Sequence, residues 1–298
     1  MFELIAANRR RSILLIAGFI VLVTALGWVF GELVGDFGYL AIVVALIFSL
    51  GMTWVSYYHS DKIVLRMSKA IPADAGADPR QARLINIVEG LAIASGIQPP
   101  RVYVVNDEAP NAFATGRDPA HAALAVTTGL LDKMNRVELE GVIAHEMAHI
   151  KNYDILVTTI AVVLAGVVAL MADWLLRGFW RVGGKRKEGG AIIGVLGLVL
   201  ALLAPLIAQL LKMAVSRRRE LLADSSAVEL TRYPPGLISA LKKLRDDSTV
   251  VRTSSRATAH LWIESPLQRT GSGAASWLNR LFDTHPPIED RIKTLEKI

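Results

Sequence analysis

The sequence predicts a mostly α-helical integral membrane protein in which four apolar helices accompany a polar α+β domain with a short β-sheet. Hydrophobic residues make up 52% of the 298 residues, and the mean hydropathy is +0.40, above the values of most soluble globular proteins. Four apolar segments are each close to the roughly 20 residues that a helix needs to cross a bilayer. They are Ile13–Phe30, Tyr39–Tyr57, Ile155–Leu176 and Ala191–Leu211.

The first two apolar segments predict a retained transmembrane hairpin over residues 1–58. The first segment is too long for the core of a typical signal peptide and lacks a clear cleavage site. The loop between the two segments contains Glu32 and Asp36 but no Lys or Arg, whereas both outer flanks are basic. By the positive-inside rule, the N-terminus and the chain after Tyr58 are therefore expected in the cytoplasm.

The two later segments predict a second apolar hairpin over residues 155–211. It would separate two polar parts of one domain, residues 59–154 and 212–298. The loop of this hairpin carries five Lys and Arg residues, which conflicts with the positive-inside rule if both segments span the membrane. The hairpin is therefore either only partly inserted or oriented by other constraints.

The polar regions predict a small sheet with helices around it. Leu84, Ile87, Val88 and Leu91 recur with helical spacing, and the β-branched stretches at 101–105 and 123–131 are typical of short strands. A helix is expected to begin near Arg136 and to continue into the third apolar segment. Further helices are expected over Lys212–Leu230, over Pro235–Leu244 and after Pro287, with a flexible stretch at 251–276.

Charge and cysteine content exclude several classes of function. The net charge is +6, but Lys and Arg cluster beside the apolar segments, where they would meet anionic lipid head groups. They do not form a stripe interleaved with aromatic residues, so nucleic-acid binding is not expected. The chain has no Cys, which excludes disulfides, thiolate ligands and a thiol nucleophile. Any metal must be held by His and carboxylates.

The stretch HEMAH places His145, Glu146 and His149 at the spacing of metal ligands. On a helix, residues four apart lie on one face, so both imidazoles can reach one ion while Glu146 lies beside them. This arrangement suits zinc, which lowers the pKa of a water molecule while a neighbouring carboxylate takes its proton as general base. The motif therefore predicts water-activating chemistry directly before an apolar segment.

Glu220 is the candidate third ligand, since a zinc hydrolase needs three protein ligands and leaves the fourth position to water. Asp224 follows four residues later on the same helix face and could orient His145 through the outer nitrogen of its ring. The alternative is that both carboxylates lie on a solvated helix face. One zinc ion per chain is predicted, and His149 and Glu220 can meet only if the second hairpin returns to the side that it left.

Five stretches together resemble the HtpX-type membrane zinc endopeptidases, relatives of the CAAX prenyl proteases: HEMAHIKNYD, RRRELLAD, NAFATG, AVTTGLL and DTHPPIEDRI. The resemblance covers nearly the whole chain. It implies a gluzincin-like metallopeptidase domain that faces the cytoplasm from a cell inner membrane. It assigns zinc binding to His145, His149 and Glu220, and catalysis to Glu146. It also implies a role in quality control of unfolded or misassembled membrane proteins under stress, and possible self-cleavage.

The resemblance suggests further site residues. Asn111 and Ala112 would belong to the edge strand that binds the substrate backbone, because an unpaired strand edge offers N–H and C=O groups to an extended peptide. The alternative is a turn after Pro110 that Asn111 caps. His285 and Arg291 are candidates for assisting the oxyanion. Alternatively, His285 caps a helix and Arg291 is a surface cation.

Two other functions remain open at this stage. A catalytically silent membrane scaffold could keep the same fold, although every residue of the motif is intact. A prenyl-type protease with one defined substrate is the other alternative, although such relatives are usually longer and have more membrane spans.

Overall fold

The computed structural model of the chain is mostly helical, with one small mixed sheet. It describes residues 2–35, 38–164, 166–167, 217–249, 261–263 and 287–298. Two described helices, α1 (Phe2–Gly35) and α2 (Gly38–Met67), have spans long and apolar enough to cross a membrane, at Ala6–Trp28 and Gly38–Met67. Two of the four predicted spans are thus confirmed. Most of the second hairpin, including Ala191–Leu211, lies outside the described residues.

Helices α1 and α2 pack as a hairpin with apolar outer surfaces. Ile13, Val21 and Ile47 are exposed in the protein, as expected for side chains that face lipid rather than water. Between the helices, a Cβ atom on Gly27 would lie 2.5 Å from the Cβ of Ala45. Small residues therefore let the two backbones approach closely, as is common between membrane helices.

The sheet has four strands in the order β1-β2-β4-β3. Strands β2 and β4 are parallel, and the outer pairs are antiparallel. The strands are β1 (Ile71–Pro72), β2 (Arg101–Val105), β3 (Ala112–Thr115) and β4 (Ala123–Thr127). The prediction of strands at 101–105 and from 123 is confirmed, but residues 128–131 belong to a short helix, α4 (Thr128–Lys133). Strand β1 is too short to leave a periodic pattern in the sequence.

Helices cover both faces of the sheet. Leu124 and Val126 of β4 point to a core that they share with α3 (Pro79–Ser95) and α5 (Arg136–Lys151). Ala123 and Ala125 point to the opposite face and pack with Val64 of α2. This alternation follows from the two-residue period of a strand. The sheet therefore connects the membrane hairpin to the helix that carries the HEMAH motif.

The chain bends sharply after the HEMAH motif. Helix α5 ends at Lys151, and α6 (Asp154–Leu164) leaves at 83°. The prediction of one continuous helix is therefore wrong. The physical reason is local: the N–H of Asn152 bonds back to Ala148, and Tyr153 has φ 60°, a left-handed conformation that ends a helix.

Three C-terminal helices complete the described domain: α7 (Arg217–Thr231), α8 (Pro234–Asp246) and α9 (Ile288–Leu295). Helices α7 and α8 pack directly against α5. At the contact with α8, a Cβ atom on Gly141 would lie 2.8 Å from the backbone nitrogen of Leu237, so only glycine permits this approach. The predicted helices at 212–230 and 235–244 agree with α7 and α8 within the described residues.

Candidate metal centre

Helix α5 is fixed at its N-terminus by reciprocal capping. The Asn135 side chain accepts hydrogen bonds from the N–H groups of Val137 and Glu138, and the Glu138 carboxylate accepts one from the N–H of Asn135. Nearly every turn of α5 is buried. The helix therefore presents His145 and His149 on one face in a defined register.

His145, His149 and Glu220 converge on one point. The two Nε2 atoms lie 3.2 Å apart, and each lies 3.6 Å from a carboxylate oxygen of Glu220. The ligand atoms of the three residues all lie within 4.8 Å of one another. Glu220 is only 3% exposed, so the alternative that it belongs to a solvated face is wrong. Two imidazoles and a carboxylate form a donor set that suits zinc.

The outer nitrogen of His145 faces Asp224. His145 Nδ1 lies 2.9 Å from Asp224 Oδ1, and Arg291 donates to both oxygens of that carboxylate, over 2.6 and 2.9 Å. Arg291 is fully buried, which contradicts its interpretation as a surface cation. Such a two-pronged arginine–carboxylate pair fixes orientation as well as charge.

The outer nitrogen of His149 faces Asp154, which sequence reasoning did not identify. His149 Nδ1 and Asp154 Oδ2 lie 3.0 Å apart. Asp154 is five residues after His149, a spacing that points away from the ligand face of a continuous helix. The run Asn152–Asp154, polar residues at the edge of an apolar segment, was the available signal for a break.

Glu146 is buried beside His145 on α5, with 3% of its surface exposed. Burial would lower the pKa of Arg291, but the charges of Asp224, Glu220 and Glu146 outweigh it and raise that pKa. His285, the other candidate for catalysis, lies outside the described residues.

The site is strongly negative around its two imidazoles. Burial and the charge of Arg291 would lower the pKa of His145, but Asp224 and Glu220 outweigh them and raise it to about 9. The pKa of His149 is also raised: burial opposes the shift, while Glu220 and Asp154 favour the charged ring. This excess of negative charge favours a bound cation.

The predicted substrate-binding residues lie at the start of β3, which is an edge of the described sheet. The main chain of Asn111 bonds inward, because its carbonyl accepts from the N–H of Thr127. The Asn111 side chain accepts from the N–H of Ala112. The Ala112 carbonyl accepts from the N–H of Ile263 over 3.0 Å. The outer edge of β3 therefore already accepts one hydrogen bond from the short bent segment Leu261–Ile263.

Comparison with known proteins adds independent support. Residues 78–298 match the description of peptidase family M48. The chain is 42% identical over 305 residues to a protease HtpX homolog of Caldanaerobacter subterraneus subsp. tengcongensis, covering 100% of this chain and 98% of that protein. It is 43% identical to a protease HtpX homolog of Thermoanaerobacter pseudethanolicus, with the same coverage.

A third relative, a protease HtpX homolog of Tropheryma whipplei, is 42% identical over 300 residues, covering 100% of this chain and 98% of that protein. The solved structure of S. mikatae Ste24p aligns with a TM-score of 0.44 and 18% identity, over 99% of this chain and 67% of that chain. The family match and the full-length relatives agree with the His-His-Glu cluster. The chain therefore belongs to peptidase family M48 and is a metallopeptidase.

Proposed function

We propose that the chain is a membrane-embedded zinc endopeptidase that hydrolyses cytoplasmic segments of misfolded or damaged membrane proteins. The observation that carries the proposal is the convergence of His145, His149 and Glu220 in a domain attached to two helices of membrane-spanning length. The donor set fits one zinc ion per chain. Zinc held there supplies Lewis acidity, which lowers the pKa of a water molecule and polarises a substrate carbonyl.

In this proposal Glu146 is the general base. Glu146 follows His145 directly in α5 and is buried. It accepts a proton from the attacking water and can pass it to the leaving amine.

Asp224 and Arg291 act as positioning residues. Asp224 holds the ring of His145 through Nδ1, so that Nε2 is directed at the metal position. Two nitrogens of Arg291 donate hydrogen bonds to Asp224, and its Nη1 lies 3.4 Å from the carbonyl oxygen of Ile263. These contacts favour support of Asp224 over direct stabilisation of an oxyanion. His285 stays the candidate for the oxyanion, on the resemblance of the sequence alone.

The outer edge of β3 is the proposed substrate track. In an antiparallel pair, alternate residues direct their backbone groups away from the partner strand, and the bond from Ile263 shows Ala112 to be one of them. Trp262 packs edge-on against Phe113, with ring centroids 4.7 Å apart. The bond from Ile263 uses a backbone carbonyl that an extended substrate peptide could also use, and Asn111 would contribute its side chain.

One contact and one rule support the proposed orientation in the membrane. Asn8, at the start of the first span, lies 2.7 Å from Asp154, so this end of the span and the metal centre are on the same side of the membrane. Basic residues flank the hairpin and its loop is acidic, so the positive-inside rule favours the cytoplasm for that side. A multi-pass protein of the inner membrane, with a second hairpin at 155–211 between domain parts 59–154 and 212–298, fits these observations.

The proposed role in quality control rests on the resemblance of the sequence motifs to the HtpX-type endopeptidases. An edge strand binds substrate mainly through backbone groups, which suits a protease that accepts many unfolded sequences. Self-cleavage is the corresponding possibility for the chain as its own substrate.

The test is hydrolysis of casein, an unfolded model substrate, by detergent-purified protein. We expect zinc-loaded protein to cleave casein and chelated protein not to. Glu146→Gln should lower the rate by about 10²–10⁴-fold with zinc still bound, whereas Glu220→Ala should lose zinc as well. Tight zinc binding without cleavage would instead support a silent scaffold. A strict requirement for a C-terminal Cys motif in the substrate would support a prenyl-type protease.

A further inference from the structure

The orientation of His149 depends on Asp154, and Asp154 depends on the first membrane helix. Asp154 presents Oδ2 to His149 Nδ1 at 3.0 Å, as Asp224 does for His145. A buried carboxylate needs hydrogen-bond donors to offset its lost hydration. Asp154 is only 4% exposed. The residues that donate hydrogen bonds to its other oxygen, Oδ1, therefore determine the position of its carboxylate.

Two residues from distant parts of the chain hold Asp154 Oδ1. Asn8 Nδ2 donates to it over 2.7 Å, from 146 positions away in the sequence. Arg219 Nη1 donates to it over 3.3 Å, and the same nitrogen lies 3.4 Å from Asn8 Oδ1. Both side chains are buried. Arg219 directly precedes Glu220, so this small cluster connects α1 with the helix of the third ligand.

The same part of α1 also holds the bend that brings Asp154 to His149. Asn8 Nδ2 donates to the carbonyl of Asn152 over 3.0 Å. The guanidinium of Arg9 lies 5.2 Å from the centre of the Tyr153 ring, a cation–π contact. Tyr153 is the residue in the left-handed conformation. Consecutive residues of α1 therefore bind both residues of the turn between α5 and α6.

We propose that Asn8 is a positioning residue of the metal centre, which acts through Asp154 to orient His149. The inference rests on the proposed function, because His149 must be a zinc ligand for its orientation to matter. Its consequence is that the seating of a transmembrane helix sets the affinity of the site for zinc. If α1 shifts by more than the length of a hydrogen bond, Asp154 loses its closest donor, Asn8. The turn at Asn152 and Tyr153 then also loses its contacts with α1.

The experiment measures zinc affinity of the full-length protein in detergent by competition with a chromophoric chelator. Asp154→Ala removes the partner of His149 and should weaken zinc binding by about 10–100-fold, the usual effect of deleting a residue that supports a ligand. Asn8→Ala should weaken it by about tenfold, at the lower end of the same range. Asn8→Leu keeps the number and branching of the side-chain heavy atoms and should give the same loss, because both variants lack the amide.

A double-mutant cycle tests whether Asn8 acts through Asp154. If it does, Asn8→Ala adds no further loss of zinc affinity in the Asp154→Ala background. Equal losses in both backgrounds would overturn the proposal. Asp154→Asn keeps an acceptor for His149 and a partner for Asn8, and it should retain more affinity than Asp154→Ala.

Ser12→Ala is the matched control. Ser12 lies one turn after Asn8, is equally buried, and bonds only back to the carbonyl of Asn8 in the part of the chain that the structure describes. This variant should bind zinc like the wild type. If Asn8 were merely structural, Asn8→Ala would lower the melting temperature of the chelated protein with zinc affinity unchanged.

The two proposals fail differently in this experiment. A wild-type protein that binds no zinc contradicts the proposed function. A wild-type protein that binds zinc, with affinity unchanged in Asn8→Ala and Asn8→Leu, contradicts only the coupling to α1. Because these variants and the Ser12→Ala control decide that question by themselves, the test does not depend on the folding of Asp154→Ala.

Discussion

The two sides of the metal centre provide the same support from different parts of the chain. On the first side, which we call the Asp224 side, Asp224 contacts His145. Arg291 donates hydrogen bonds to both carboxylate oxygens of Asp224. On the second side, the Asp154 side, no single residue among those described donates hydrogen bonds to both oxygens of the aspartate. Its second oxygen is shared between an amide at 2.7 Å and a guanidinium nitrogen at 3.3 Å.

The difference lies in where the supporting residues come from. The Asp224 side is built from α7 and α9, two helices of the peptidase domain. The Asp154 side reaches out of that domain to Asn8 of the first membrane span. One candidate metal ligand is therefore supported from within the domain, and the other, in our proposal, from the membrane hairpin.

The largest effect, a loss of stability, is expected from removing Arg291, the cation of the Asp224 side. Arg291→Met leaves Asp224 buried with its main partner removed, and uncompensated buried charges typically cost about 3–5 kcal/mol of stability. Arg219→Met should cost less, because Asn8 still donates to Asp154. Thermal unfolding of the chelated proteins measures both. Equal losses in the two variants would contradict the asymmetry between the sides.

A smaller effect, on metal affinity rather than folding, is expected from Asp224→Asn. The amide keeps the shape of the side chain and an acceptor for His145 but removes the charge that makes the ring a strong ligand. We expect zinc affinity to fall by about tenfold or more. Adding Asn8→Ala to this variant should multiply the two losses, because the two sides support different ligands. A double variant no weaker than Asp224→Asn alone would indicate that the sides are not independent.

The smallest effect is expected at the start of α5, which both histidines share. Burial would raise the pKa of Glu138, but Lys243, Ser239 and the N–H of Asn135 outweigh it and lower the pKa below the ordinary value of 4.5. A carboxylate with a lowered pKa stabilises the fold above its unfolded pKa, and the stabilisation disappears as pH falls through the folded value. Glu138→Gln should therefore cost about 1 kcal/mol at pH 7.

The melting temperatures of wild type and Glu138→Gln should converge as the pH is lowered below 4.5. Asn135→Ala is the control: it removes the other half of the cap, has no charge to titrate, and should keep its defect at every pH. A gap between wild type and Glu138→Gln that stays constant with pH would contradict the assigned role of the carboxylate.

The Asp224 side was accessible to sequence reasoning because its elements are local. His145 and His149 are separated by one helical turn, as are Glu220 and Asp224, so helical periodicity alone places each pair on one face. Arg291 was noticed only through the resemblance to a family. The strands were found for a similar reason, since β-branched residues at 101–105 and 123–127 mark them without tertiary information.

The Asp154 side was not accessible because it depends on a break in an apolar pattern and on a long-range contact. Apolar residues continue after Asp154 with helical spacing, which favoured one unbroken helix. Arg219 belongs to a run of three arginines that suggested lipid head groups, yet its side chain is buried. No periodicity connects Asn8 with a residue 146 positions later. The pairing of Ile263 with β3 was missed for the same reason.

The span of these contacts along the chain has a consequence for the order of synthesis. The residues that meet around the two histidines extend from Asn8 to Arg291. A ribosome therefore makes the membrane hairpin early and the last supporting residue late. The nascent chain can be anchored in the bilayer while its metal centre is still incomplete. Hydrolytic capacity is thus the last property that the growing polypeptide acquires, after the anchor that keeps it at the membrane.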